Sequence, residues 1–179
     1  QAPHPERIYL SGTGTDYTRI WEFYCSKGQN SGKWKSIEVP SCWELQGFGE
    51  YTYGRYYTIK GAKPSDETGI YRYRFLTPDC GKTDRVKLFF DGVMTDAEVW
   101  VNGKSAGQIH QGAFYRFSYD ITSLLKAEGK PARSESNQAV CKQVGECCRT
   151  TCRLVAVWGH LSSGMAGGCS CCFDGTFHT

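Results

Sequence analysis

At 179 residues the chain has room for one ordinary domain, or one domain with an appendage, and it is too short for a (β/α)₈ barrel, which takes roughly 250 residues. Its formal net charge is only +3 and its Lys and Arg are scattered without a basic run, which argues against nucleic-acid binding. No segment approaches the roughly 20 continuous apolar residues of a membrane span.

Taken in chain order, Arg7 to Leu10 and Arg19 to Tyr24 read as early strands, separated by the turn-rich Ser11-Gly12-Thr13-Gly14. The segment GKWKSIEVPSCWELQGFGEYTYG follows, from Gly32 to Gly54, and is dense in aromatic residues. Thr68 to Phe75 and Arg85 to Phe90 are the next strands, the latter with Val86, Leu88 and Phe90 alternating. Ala97, Val99 and Val101 then alternate with Glu98, Trp100 and Asn102. That period of two sends one set of side chains to a core and the other outward. Asn102-Gly103 closes a hairpin, because both central residues of a type I′ turn need positive φ, which Gly adopts freely and Asn at low cost. A second ribbon carries Ala113, Tyr115, Phe117, Tyr119 and Ile121 on one face. Asp120 or Thr122 is placed to cap one helical turn that ends at Leu124-Leu125. Short strands at close spacing with almost no helical periodicity predict an all-β sandwich.

The composition changes near Lys130. Residues 131–179 hold seven of the ten cysteines, three of the 25 aromatics, and no Ile or Tyr. The chain therefore divides into a regular portion, 1–129, and a Cys-rich tail, 130–179.

Several motifs stand together in order: Trp34, Ile37, Val39, Pro40, Trp43, Glu44, Gly47 and Gly49 in a "W…I.VP..WE..G.G" pattern, then TGIYRYRF, VWVNGKSAG and HQGAFYRFSYDITSLL. From about Arg7 to Glu128 this series resembles the N-terminal sugar-binding domain of family 2 glycoside hydrolases, the β-galactosidase and β-glucuronidase group. The resemblance implies a jelly roll of the galactose-binding-domain type and a carbohydrate partner. It implies a parent enzyme that hydrolyses terminal β-linked sugars with retention, using two Glu residues of a downstream barrel that is missing here. No residue of this chain inherits a catalytic role, so the chain alone is expected to be inactive; no cofactor and no metal ligand is implied.

The candidate sugar contacts are Trp43, Tyr56, Tyr57 and His110. Aromatic rings stack on the C–H faces of sugars, and the loop holding Tyr51, Tyr53, Tyr56 and Tyr57 is rich in them. Packing is the competing reading of these aromatic residues, and a strand or loop His with no partner in sequence is more often structural than functional. The family's corresponding loop presents an Asn to the sugar, whereas RYYTIKGAKPSDETG has none, so that contact is not carried over. Asp96 and Glu98, two apart on a strand, share one solvated face; a glycosidase carboxylate pair needs a pocket that raises one pKa.

The tail admits three readings. Cys148, Cys152, Cys169 and Cys172 have a loose zinc-like spacing. A disulfide-stapled tail on a free-standing secreted carbohydrate-binding module is the second reading, although seven cysteines is an odd number and Cys147-Cys148 and Cys171-Cys172 are adjacent pairs. The third reading is a frame error. Suitable synonymous codons for Arg153 to Cys169, read one base later, give DWWLFGGIYRPVWLEA, similar to the family's "D.W..GGI.RPV.L" strand. Codons for Lys130 to Ser136 read likewise give NLLEVKV. Met165-Ala166 forces a Trp codon and Trp158-Gly159 a Gly codon, the latter where the family's pattern has its first Gly. On this reading the tail is irregular and disordered, the sandwich is incomplete, and the family's sugar-binding Asp is absent. The start at Gln1 in place of Met fits an exported protein, periplasmic or extracellular, after signal-peptide removal, or simply a fragment.

Overall fold

The computed structural model describes residues 6–50, 60–61, 66–77, 85–93, 96–112, 115–126, 136–144 and 154–159. Among them are eleven strands: β1 (Glu6–Tyr9), β2 (Arg19–Cys25), β3 (Trp34–Val39), β4 (Thr68–Leu76), β5 (Arg85–Phe90), β6 (Asp96–Val101), β7 (Lys104–Ser105), β8 (His110–Gln111), β9 (Phe117–Asp120), β10 (Ser136–Val144) and β11 (Leu154–Gly159). All pairings are antiparallel. One sheet has the order β3-β2-β4-β10-β6-β7, with β8 also on β6, and the other has the order β1-β11-β5-β9. This is the β-sandwich expected of a jelly roll.

Alternation builds the core. Trp21 and Phe23 of β2, Ile37 and Val39 of β3, Tyr71 and Phe75 of β4, Val86, Leu88 and Phe90 of β5, and Ala97, Val99 and Val101 of β6 belong to one buried cluster. The outer positions are held electrostatically: Arg72 makes two hydrogen bonds to Glu22, at 2.7 and 3.2 Å, while its guanidinium lies 3.9 Å from the ring centre of Trp34.

The predicted hairpin is present, with φ of 51° at Asn102 and 80° at Gly103. Asn102 does more than turn the chain. Its Nδ2 donates to Leu124 O at 2.8 Å and its Oδ1 accepts from Gln138 N at 3.0 Å, tying the hairpin to the helical turn and to β10. That turn is a 3₁₀ turn, Thr122–Leu124, whose N-cap is Ile121 without a side-chain cap. Asp120 reaches past it instead, its Oδ1 accepting from Thr122 N at 3.1 Å. The second ribbon alternates only from Phe117: Phe117, Tyr119 and Ile121 pack inward, whereas Tyr115 is 72% exposed, against the expected shared face. Ala113 lies outside the described residues.

The open edge of the larger sheet is blunted at β3. The Gln46 side chain takes the place of a neighbouring peptide, its Oε1 accepting from Glu38 N at 2.9 Å and its Nε2 donating to Glu38 O at 2.9 Å. Satisfying the edge in this way removes a template for strand addition.

The expectation of an irregular tail after Lys130 meets two exceptions. β10 lies between β4 and β6, and β11 between β1 and β5, so both are interior strands. Ala139 and Cys141 of β10 face the core. Backbone pairing makes weak demands on side-chain identity, and small inward residues fit between strands whose own inward residues are large; composition therefore does not reveal them. The Cys141 thiol is free and buried, and burial pushes its pKa up to about 12. Cys147, Cys148, Cys152, Cys169, Cys171 and Cys172 lie outside the described residues.

Candidate functional site

Strand register places the sequence-predicted candidates. Cys25 pairs with Gly69, Thr68 with Val144, Val144 with Asp96 and Asp96 with Gln111, so these residues form one row across one end of the larger sheet. With about 4.8 Å between neighbouring strands the row spans roughly 19 Å. The same end carries the turn after β2, the segment from Trp43 to Glu50, Asp66 and Glu67, and His110. A shallow depression lined by Arg74, Asn102, Lys126 and Gln138 lies at the opposite end of β4.

Trp43 is a correction. It is 0% exposed, with ring centroids 5.4 Å from Phe23 and 6.4 Å from Tyr71. A Cβ on Gly69 would stand 1.7 Å from its Cζ3. The 3₁₀ turn Glu44–Gln46 after it ends at Gly47 with φ of 79° and folds the indole inward, so neither ring face is open to a sugar. Tyr56 and Tyr57 lie outside the described residues. His110 is half-buried and stacked on Phe117, 3.7 Å between centroids and 13° between planes; its Nε2 is buried without a hydrogen-bond partner among the described residues. The Asp96 and Glu98 positions are the half-buried outer ones of β6.

Glu67 was not singled out by its sequence, since nothing local distinguishes a Glu before TGIY. It is 4% exposed, and its Oε1 accepts from Glu50 N at 2.8 Å. A Cβ on Gly49, whose φ is 70°, would stand 2.3 Å from its Oε2. Around this contact Gln29 and Gly49 exchange two backbone hydrogen bonds, at 3.0 and 2.9 Å. Asn30 Nδ2 donates to Gly47 O at 2.7 Å, and Lys27 pairs with Asp66. Glu50 and Glu67 are seventeen residues apart in the chain, so the carboxylate ties the segment ending at Glu50 to the start of β4.

Burial raises the pKa of Glu67 above its ordinary 4.5; the Glu50 N–H opposes this, the charges of Glu50 and Asp66 add to it, and Lys27 opposes it. A raised folded-state pKa contributes stability that is complete below about 4.5 and is lost as pH rises through the folded value. Glu67→Gln keeps an acceptor for Glu50 N–H and cannot ionise. We expect wild type to lose stability relative to Glu67→Gln as pH rises above about 4.5, measured by urea denaturation at a series of pH values. A constant difference would contradict this account.

Residues 20–135 match the sequence model of the glycosyl hydrolases family 2 sugar binding domain. The chain belongs to that family. The family 2 domain is 31% identical over 122 residues to β-galactosidase BoGH2A of Bacteroides ovatus, covering 63% of this chain and 14% of that protein. It is 37% identical over 99 residues to a β-galactosidase of Psychromonas ingrahamii, covering 52% and 10%. An FMN-binding β-glucuronidase from Facaelibacterium prausnitzii L2-6 shares its fold with a TM-score of 0.56 at 20% identity, over 86% of this chain and 22% of that one. The chain thus spans between 10% and 14% of the length of these curated relatives. The family match stops at residue 135, immediately before β10. No helix among the described residues is long and apolar enough to cross a membrane.

Proposed function

We propose that this family 2 domain is the carbohydrate-binding N-terminal part of a larger, β-galactosidase-like glycoside hydrolase, and that the reaction belongs to a barrel outside these 179 residues. The observation that carries the proposal is the pairing of the family match over residues 20–135 with relatives named β-galactosidase of which the chain spans 10–14%. In such an enzyme one carboxylic acid protonates the leaving oxygen and a second carboxylate, about 5–5.5 Å away, forms the glycosyl-enzyme. The one buried carboxylate described at the loop end, Glu67, is committed to Glu50 N–H and to the close approach of Gly49, so its role is structural. The purified chain should therefore show no hydrolysis of 4-nitrophenyl β-D-galactoside; measurable turnover would overturn the proposal.

We propose further that the coding frame shifts near Lys130. The change in composition, the end of the family match at residue 135 and the family-like peptides read one base later support this. Resequencing the gene across the codons of Gly129 and Lys130 tests it. The expected result is a frame that continues through NLLEVKV and DWWLFGGIYRPVWLEA; an uninterrupted frame with a stop after Thr179, matched by intact mass, would refute it.

A further inference from the structure

A column of rings runs outward from the core on the β8 and β9 side of the loop end. Phe90 and Phe117 stack with centroids 4.7 Å apart and planes 2° from parallel, and His110 stacks on Phe117 in turn at 3.7 Å. Gly112 sits above, with φ of 132°. A Cβ there would lie 3.2 Å from Tyr115 Cδ2 and 3.8 Å from His110 Nε2, so the missing side chain is what lets the Tyr115 ring close down beside the imidazole. Tyr115 remains 72% exposed, and Ile109 is 55% exposed. Arg116 and Asp91 form an ion pair at 2.7 Å beside this column, and His110 Nε2 is buried without a partner among the described residues.

A single exposed tyrosine is ordinary on a protein surface. This one abuts Gly112 near His110, the outermost ring of a stacked column rooted in the core, so its open face stands beside a surface that is already ordered when a ligand arrives. An aromatic ring has an electron-rich face, which attracts the slightly positive axial C–H groups of a pyranose, while a charged pair at the rim can exchange hydrogen bonds with hydroxyls.

We propose that Tyr115 is a sugar-stacking residue, its ring receiving the apolar face of a β-linked hexopyranose with Arg116 and Asp91 at the rim. The inference rests on the reading of the domain as carbohydrate-binding and adds a contact residue to it. The glycine explains why the ring lies where it does.

The test is an NMR titration of the full 179-residue chain with methyl β-D-galactopyranoside at millimolar concentrations. The Tyr115 ring protons should shift and receive saturation transfer from the sugar C–H protons. Tyr115→Ala should weaken binding by about 5–10-fold, and Tyr115→Phe, which keeps the face, should stay within about 2-fold of wild type. Because Tyr115 is exposed, Tyr115→Ala should keep the wild-type thermal midpoint; saturation transfer to the wild-type ring gives a readout independent of any variant. Binding of equal strength by wild type and Tyr115→Ala would overturn the role of Tyr115 and leave the carbohydrate-binding reading standing. The lack of any sugar-induced shift in the wild-type chain would overturn both.

Discussion

Trp43→Ala should lower the unfolding free energy by about 3–5 kcal/mol, the usual cost of emptying a large aromatic site in a core. Against the ~5–15 kcal/mol that stabilises a typical domain, such a loss leaves a substantial unfolded population. The indole is fully buried among Phe23, Tyr71 and Gly69, so nothing nearby can collapse into its volume without moving β2 or β4. Gly69→Ala should be comparably damaging for the opposite reason, since its Cβ would overlap Cζ3 at 1.7 Å and overpacking of this degree cannot be relieved by a rotamer change. The two substitutions are coupled. In the Trp43→Ala background the alanine at position 69 enters the vacated space, so the double variant should be more stable than the sum of the single losses by at least ~1 kcal/mol. Urea denaturation of the four proteins in this cycle measures the coupling; strictly additive losses would show that Trp43 and Gly69 do not share a packing site. A sugar-contact role for Trp43 predicts instead a loss of binding with unchanged stability.

Truncation after residue 135, where the family match ends, should abolish cooperative unfolding. It removes β10 from between β4 and β6 and β11 from between β1 and β5. β10 pairs along its whole length with β4, from Ser136 opposite Leu76 to Val144 opposite Thr68, and with β6 from Ala139 to Val144. Without it both neighbours expose rows of unpaired N–H and C=O groups beside apolar core, a combination that favours association over folding. Far-ultraviolet circular dichroism with urea, together with sedimentation, should find the truncated chain unfolded or aggregated while the 179-residue chain melts cooperatively. Equal midpoints for the two chains would mean that β10 and β11 contribute no net stability.

These two experiments mark where the sequence was readable. Asn102-Gly103 announces its hairpin because positive φ at two successive residues is a local demand that few dipeptides meet, and the alternation of Val86, Leu88 and Phe90 announces β5 because neighbouring residues of a strand point oppositely. Tyr115 was assigned inward by extending that alternation past Gly112, where the ring instead lies on the glycine and out in solvent. Trp43 was read as a sugar platform because an aromatic residue in a loop looks available; its burial depends on Gly69, which belongs to a different strand. Glu67 carried no signal, since its role as a tie between Glu50 and the start of β4 exists only when Gly49 and Glu50 are brought against it.

The sequence by itself determined the all-β class, the strands β1, β2, β4, β5 and β6, the turn at Asn102-Gly103 and the family, because all of these depend on preferences within a few neighbouring residues or on motifs in fixed order. Only the tertiary structure decided that Trp43 is core, that Glu67 is buried, that Tyr115 is offered to solvent beside a stacked column, and that Ser136–Val144 fills the middle of a sheet. The physical reason is that burial belongs to pairs of segments far apart in the chain: a slot between β4 and β6, or a hollow above Gly69, is created by neighbours that no short window of sequence contains.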